Sequence, residues 1–257
     1  MISELKGNYG QAYIQDCLKH MSRLPDKTYD LCFTDCPWGH DYQDHAQKPM
    51  GINQKAVKQE RIPYDDAWKP EFHKQWFPEA QRTSHAQVVC VGSRHLDWWY
   101  AEMKPIGFVA LIYKNGQGST KVSRYSGCML YLCFGEEDWW KHHKFHRNFY
   151  EVYIHNGFLR DNETELKHPS PKDFGTWYQM ISDLNNKIPL TSVYDPFLGS
   201  GAEAEVCEAL GIPWAGTEIM PEYANDIQLR IQKGMEYYKT RPLKLRSKQK
   251  TIGEMIL

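Results

Sequence analysis

Residues 192 to 232 of this chain, SVYDPFLGSGAEAEVCEALGIPWAGTEIMPEYANDIQLRIQ, constrain its fold more than any other stretch. They read as a strand (Ser192 to Tyr194), a glycine-rich turn, a helix (Ala202 to Leu210), a second strand (Trp214 to Thr217) and a second helix (Glu222 to Gln232). Two strands joined through a helix run parallel, and a parallel sheet needs helices on its faces, so the class is α/β. The glycines of Phe197-Leu198-Gly199-Ser200-Gly201 let the backbone turn tightly and approach a ligand. Glu218 ends the next strand, 17 residues after Gly201, near the spacing at which an acid reaches a ribose diol. A packing turn followed by a surface glutamate is the plainer alternative.

A second constraint lies at Tyr29 to Trp38, YDLCFTDCPW. Leu31, Cys32 and Phe33 suit a strand buried on both faces, and Pro37, which has no N–H for a ladder, ends it. Asp35 is thereby held at the carboxyl end of a strand, the edge at which open α/β sheets bind ligands. An Asp before a Pro also occurs in ordinary turns.

The same alternation fills much of the remaining chain. Residues 11 to 14 suggest a strand ending at Asp16-Cys17, with a helix through Ser22 that Asp16 is placed to cap. A helix from Lys74 to Arg82 leads to a strand at Ala86 to Val91, then a helix at Leu96 to Met103 and a strand at Phe108 to Tyr113. Asn115 to Gly118 reads as a turn, Gly127 to Phe134 as a strand pairing beside the previous one, and Val152 to Ile154 as a short strand. Residues 174 to 184 suggest a helix capped by Asp173. Residues 39 to 71 are polar and aperiodic and read as one long loop, a length that in a compact domain usually carries function or disorder.

At 257 residues, with no Ser/Gly-rich linker, the chain is expected to form a single domain. Its 41% hydrophobic content excludes wholesale disorder. A net charge of -1 means that any nucleic-acid contact rests on local basic patches. Two are present: Lys141 to Arg147, KHHKFHR, and the tail from Lys239 to Lys250, with six Lys or Arg and no acid. The histidines of the first have no Cys or acidic partners at ligand spacing, so no metal site is expected. The seven cysteines sit in apolar runs, as suits buried thiols in a reducing compartment. The amino terminus lacks a signal-peptide layout and no run approaches the length of a membrane span, so an intracellular protein without a membrane partner is expected.

Several short motifs carry a resemblance. Asp35-Cys36-Pro37-Trp38 resembles the D-P-P-Y/W element of amino-methyltransferases, and Asp195 to Gly201 resembles the first S-adenosylmethionine motif of the DNA enzymes of that group. Gly216-Thr217-Glu218 with Tyr223 resembles their second motif, His168-Pro169-Ser170-Pro171-Lys172 their H-P-T/S-x-K-P element, and Asp16-Cys17-Leu18 their G-D-C-L opening. The order of these elements is that of the permuted β class, and the resemblance spans residues 11 to about 232, with 39 to 71 and 135 to 167 unmatched.

That resemblance implies a Rossmann-like methyltransferase fold with a mostly parallel seven-stranded sheet in circularly permuted motif order. It implies target-recognition insertions at 39–71 and 135–167 and a basic tail at 239–257. The cofactor would be S-adenosylmethionine, with Asp195, Phe197, Gly199, Ser200 and Gly201 at its methionine side and Glu218 on the ribose. Asp16 and Cys17 would meet the adenine ring, and His168 and Lys172 would lie near the methionine carboxylate. Asp35, Cys36, Pro37 and Trp38 would form the catalytic motif, Asp35 and the Cys36 carbonyl accepting the amine hydrogens and Trp38 stacking on an extruded base. A buried core Trp is the plain alternative for Trp38.

Two departures stand out, Cys36 where the family has Pro and Asp173 where a Pro usually follows the lysine. The implied partner is DNA and the implied reaction is methylation of N6 of adenine, in the setting of restriction-modification. N4 of cytosine, RNA, a homodimeric assembly and a catalytically silent nucleic-acid-binding subunit are kept as alternatives. A nucleotide-binding dehydrogenase is disfavoured, because its glycine fingerprint normally lies near the amino terminus.

Overall fold

The computed structural model describes residues 3–38, 67–113, 128–152, 166–168 and 170–240. In chain order the elements are β1 (Glu4–Lys6), β2 (Gly10–Ile14), α1 (Cys17–Met21), β3 (Tyr29–Asp35), α2 (Pro70–Thr83) and β4 (Ser84–Val91). A 3-10 turn (Ser93–His95) leads into α3 (Leu96–Trp98), which continues as a π turn (Trp99–Met103). Then follow β5 (Gly107–Tyr113), β6 (Cys128–Gly135), α4 (Glu137–His142), β7 (Phe149–Val152) and α5 (Phe174–Leu184). The chain continues through β8 (Val193–Asp195), α6 (Ala202–Leu210), β9 (Trp214–Glu218) and α7 (Ala224–Thr240).

One sheet runs through the molecule in the order β1-β2-β9-β8-β3-β4-β6-β5-β7. The block from β2 to β4 is parallel, β6 runs antiparallel between β4 and β5, and β7 joins β5 in parallel. The expected seven strands are therefore nine among the described residues, with β1 and β7 added at the two edges. β1 escapes a sequence reading because three residues carry too little periodicity. The expected strand at Val152 to Ile154 is found at Phe149–Val152, where it pairs with Ala110 to Tyr113.

Period-two alternation sorts β3 between two cores. Leu31 and Phe33 face Trp177, Met180 and Ile181 of α5 with Ile227 of α7, and Cys32 faces Met21 of α1 and Trp76 and Phe77 of α2. Helices on both faces explain why the strand reads as an unbroken apolar run. Caps fall where the side chains predicted them: Asp16 accepts the Lys19 amide at 2.9 Å and Asp173 the Thr176 amide at 2.8 Å.

Two expected insertions are corrected at their ends. The loop at 39–71 stops earlier, because Pro70 opens α2 at a position where a missing N–H costs nothing. The segment at 135–167 includes α4 and β7, which belong to the core: Trp139 is buried and its Nε1 donates to Asp30, at the start of β3. Residues 39–66 and 153–165, the turn at 115–118 and the tail beyond Thr240 lie outside the described residues.

Candidate active site

The parallel strands deliver their carboxyl ends to one edge. Ile14 of β2 pairs with Glu218 of β9, Asp195 of β8 with Gly216, and Asp35 of β3 with Cys90 of β4. A cavity of about 430 Å³ opens there, within the ~300–1,000 Å³ typical of small-molecule sites. It is lined by Asp16, Cys17, Asp35, Cys36, Pro37, Trp38, His168, Lys172, Phe197, Gly199, Ser200 and Glu218, which are all but two of the residues singled out from sequence.

The two exceptions, Asp195 and Gly201, support the site from behind. Asp195 is buried, its Oδ1 accepting from Thr34 Oγ1 at 2.6 Å and from the Phe197 amide at 2.8 Å. It thus ties the glycine loop to the strand that ends in Asp35, and burial pushes its carboxyl up to about 7. Gly201 precedes α6 with φ 86°, and a Cβ there would lie 3.1 Å from Ile227 Cα, so it lets α6 and α7 pack closely.

Gly199 also takes a positive φ of 52°, and a Cβ built on it would lie 3.0 Å from His168 Nε2. The His168 ring covers the glycine loop and rests against Tyr223, with ring centroids 4.7 Å apart. Its backbone is pinned because the amides of Lys167 and His168 both donate to Asp226 Oδ2 at 2.8 Å. The Ser170 amide donates to His168 Nδ1 at 3.1 Å, which leaves Nε2 to carry the proton of the neutral ring.

Glu218 receives the Gly199 amide on Oε2 at 2.7 Å and the Met220 amide on Oε1 at 2.8 Å. Burial is the largest influence on this carboxyl and pushes it up to about 7 against the pull of those amides. Glu218 also lines the cavity, and a carboxylate has capacity to accept from a further donor there. Asp16 serves as helix cap and cavity wall at once, so its two readings are compatible.

Around Asp35 the geometry departs from expectation in one respect. The ammonium of Lys172, expected near the methionine carboxylate of the cofactor, lies 2.7 Å from Asp35 Oδ2 and 4.7 Å from the Trp38 ring centroid. Asp35 Oδ1 is buried with no hydrogen-bond partner among the described residues. The Cys36 thiol is turned into the core, donating to the Cys90 carbonyl at 3.4 Å. Trp38 is half-buried, packed against both cores and facing the cavity.

Sequence reasoning missed one wall. Phe72 and His73 of α2, with Ala67 and Lys69 before it, line the cavity, as do Ile219 and Met220 after β9. The helix was expected only from Lys74, and the signal for its first turn was available in Pro70 and in His73, which continues the buried spacing of Trp76, Phe77 and Ala80. Phe197 packs edge-on against Trp76 at 5.0 Å and near Phe72 at 6.0 Å, so α2 closes over the glycine loop. Burial lowers His73 to about 4, and Nδ1 accepts from Trp76 Nε1 at 3.0 Å, so the ring is neutral near pH 7.

The basic stretch at Lys141 to Arg147 does not reach this edge. Gly135 pairs with Ala86 at the amino end of β4, and α4 hangs from there on Asp30 at the amino end of β3. His143 is buried against Trp139, with Nδ1 3.0 Å from the Leu184 carbonyl, and His146 lies 2.8 Å from Asp183. Part of the tract is therefore internal scaffold on the side of the sheet away from the cavity.

A parallel αβα core with one antiparallel strand inserted beside β4, and a cavity at the carboxyl edge between β8, β9 and β3, defines a Rossmann-like methyltransferase fold. No family model matches the chain. It is 22% identical over 249 residues to the type II methyltransferase M.HinfI of Haemophilus influenzae, covering 84% of this chain and 67% of that one. Among solved structures it is similar to the PvuII DNA methyltransferase (cytosine-N4-specific), with a TM-score of 0.59, 15% identity and 91% and 93% of the two chains covered. It is also similar to M1.HpyAVI in complex with S-adenosylmethionine, with a TM-score of 0.53, 17% identity and 86% and 99% covered. A putative DNA modification methylase of Thermus thermophilus complexed with the same cofactor has a TM-score of 0.53 and 13% identity, with 87% and 93% covered. The resemblance drawn from motif order thus agrees with chain-wide likeness to S-adenosylmethionine-dependent DNA amino-methyltransferases.

Proposed function

We propose that the protein transfers a methyl group from S-adenosylmethionine to the exocyclic amine of a base in DNA, with N6 of adenine as the target. The observation that carries this reading is the convergence of Asp35, the Cys36 backbone, Trp38, the Gly199 loop and Glu218 on one cavity. The likeness to the type II methyltransferase M.HinfI and to the PvuII DNA methyltransferase supports it.

The cavity suits the cofactor on its own chemistry. At Gly199 a positive φ and the absence of a side chain bring bare backbone to the cavity wall beside the His168 ring, and Glu218 presents a buried carboxylate for a diol. Phe197, Ile219 and Met220 supply apolar walls. The chemistry such a cofactor supplies when bound is a sulfonium methyl group that is already a good electrophile. The task left to the chain is to position the amine, whose lone pair is delocalised into its ring. The Asp35 carboxylate and the Cys36 carbonyl accept the two N–H groups, which favours a pyramidal nitrogen, and the face of Trp38 carries the extruded base.

Glu218 makes cofactor affinity pH-dependent. Ribose hydroxyl donors favour its ionised form, and that form is lost as pH falls through about 7. Affinity for S-adenosylmethionine by calorimetric titration is expected to be flat above pH 8 and to fall by up to about tenfold per unit below pH 7. Glu218→Gln is expected to bind weakly with no slope in that window.

The preference for adenine is supported by Asp, rather than Ser, at the first position of the catalytic motif. The likeness to a cytosine-N4-specific enzyme favours N4 of cytosine as the second reading. An intracellular setting is supported by all seven cysteines being free, six of them buried. No helix among the described residues is long and apolar enough to cross a membrane. Incubation with labelled cofactor and either unmethylated genomic DNA or total RNA, followed by digestion to nucleosides, tests the function. N6-methyladenosine of the deoxy series is expected; N4-methylcytosine moves the target to the second reading, and label in neither nucleic acid removes the proposal.

A further inference from the structure

The ammonium of Lys172 occupies a place that the proposed reaction reserves for the target. It donates to the Asp35 carboxylate at 2.7 Å while standing 4.7 Å over the Trp38 ring. An exocyclic amine on Asp35, carried by a base stacked on Trp38, needs that same space and the same acceptor. We infer that Lys172 is a placeholder for the target amine, and that the base gains the catalytic carboxylate by displacing it. This rests on the amine-methylation reading.

Two contacts support exchange of a side chain with its backbone held still. Arg230, 1% exposed, donates from Nη2 to the Lys172 carbonyl at 2.9 Å while its Nη1 pairs with Glu205 at 2.8 Å. On the other side of Lys172, Asp173 caps α5 through the Thr176 amide and hydroxyl. The peptide at 172 is thus fixed to α6 and α7 at one end and to α5 at the other, and rotation of the lysine side chain is what clears the subsite. The lysine also solves a problem of the empty site. A carboxylate with one oxygen buried and unpaired is costly, and an intramolecular ammonium offsets that cost until an amine arrives.

The placeholder raises the threshold for entry selectively. A base with an amino group has to break the Lys172–Asp35 pair before it gains the carboxylate, whereas a base without one leaves room for the ammonium to stay on Asp35 and breaks nothing. Removing the ammonium should therefore favour the amine-bearing base specifically, because Asp35 is then without its resident donor.

The test uses the cofactor-free full chain and duplexes carrying the site that methylation mapping of wild-type product identifies. Each duplex holds either the target base or its amine-free analogue, purine in place of adenine or pyrimidin-2-one in place of cytosine. The quantity read is the ratio of the two affinities, in which any loss of phosphate attraction cancels. Lys172→Met is expected to raise that ratio roughly tenfold, and Lys172→Arg, which grips a carboxylate through two N–H groups, to lower it. An unchanged ratio in both variants overturns the inference. So does a tenfold loss of S-adenosylmethionine affinity in Lys172→Met at unchanged ratio, which would return the lysine to the cofactor. Failure of the function itself is seen separately, as absence of methylated nucleoside with wild-type protein.

Discussion

Asp35→Ala is expected to lose about 10³-fold or more in single-turnover methyl transfer, roughly 4 kcal/mol of transition-state stabilisation, while binding S-adenosylmethionine with near wild-type affinity. The carboxylate ends β3 and lines the cavity together with Cys36 and Trp38. Alanine removes the acceptor and leaves the Gly199 loop and Glu218 untouched. The companion variant Cys36→Ser is expected to retain most of the rate. Its thiol is buried and donates to the Cys90 carbonyl at 3.4 Å, a bond that a serine hydroxyl can replace, and the chemistry asks of this residue only its backbone oxygen. A covalent route through the cysteine would reverse this order, with Cys36→Ser inactive and a stable protein–DNA adduct formed on a mechanism-based cytosine analogue. Rates for the two variants beside the trapping assay decide between them.

The second large effect is expected at Gly199. Valine there faces two independent penalties. A φ of 52° is hostile to a β-branched residue, at about 1–2 kcal/mol or more, and its Cβ would start 3.0 Å from His168 Nε2. The side chain would also project beneath the ring that covers the loop, where the cofactor backbone contact is proposed. Gly199→Val is expected to show no calorimetric binding of S-adenosylmethionine, a loss of over about 100-fold, with unchanged far-ultraviolet circular dichroism. Gly199→Ala should fall between, since it keeps the φ penalty with less bulk. Wild-type affinity in the folded valine variant would place the cofactor away from this loop.

Much of the architecture was legible from local signals because each was redundant. Strand, glycine turn, helix, strand and acid at 192 to 218 occur in an order that only a parallel crossover accommodates, and α5 and α6 were found at their predicted bounds. Asp35 was legible for the same reason: a run buried on both faces, stopped by a proline, puts whatever precedes that proline at the sheet's carboxyl edge.

What local signals did not carry depended on contacts between residues far apart in the chain. β1 is an edge strand of three residues, held by its neighbour rather than by its own pattern, and β7, expected at 152 to 154, has its bounds at Phe149–Val152 set by pairing with β5. The basic tract at 141–147 looked like a nucleic-acid loop by composition, yet Trp139 and His143 anchor it at the opposite edge, because burial is decided by what packs against a side chain. Asp195 resembled a cofactor ligand, and Thr34, 161 positions earlier, turned it into an internal strut. Lys172 is the sharpest case. The resemblance of residues 168 to 172 to a family motif implied a place near the cofactor, but which carboxylate an ammonium selects is a matter of ångströms. The distance to Asp35 was settled only when Arg230 and Asp173 fixed the backbone on either side of it. Chain order determined which groups reach the carboxyl edge, since strand direction follows from connectivity; tertiary packing alone decided which of them touch, because hydrogen bonds and ion pairs fall off within a few ångströms that sequence spacing does not specify.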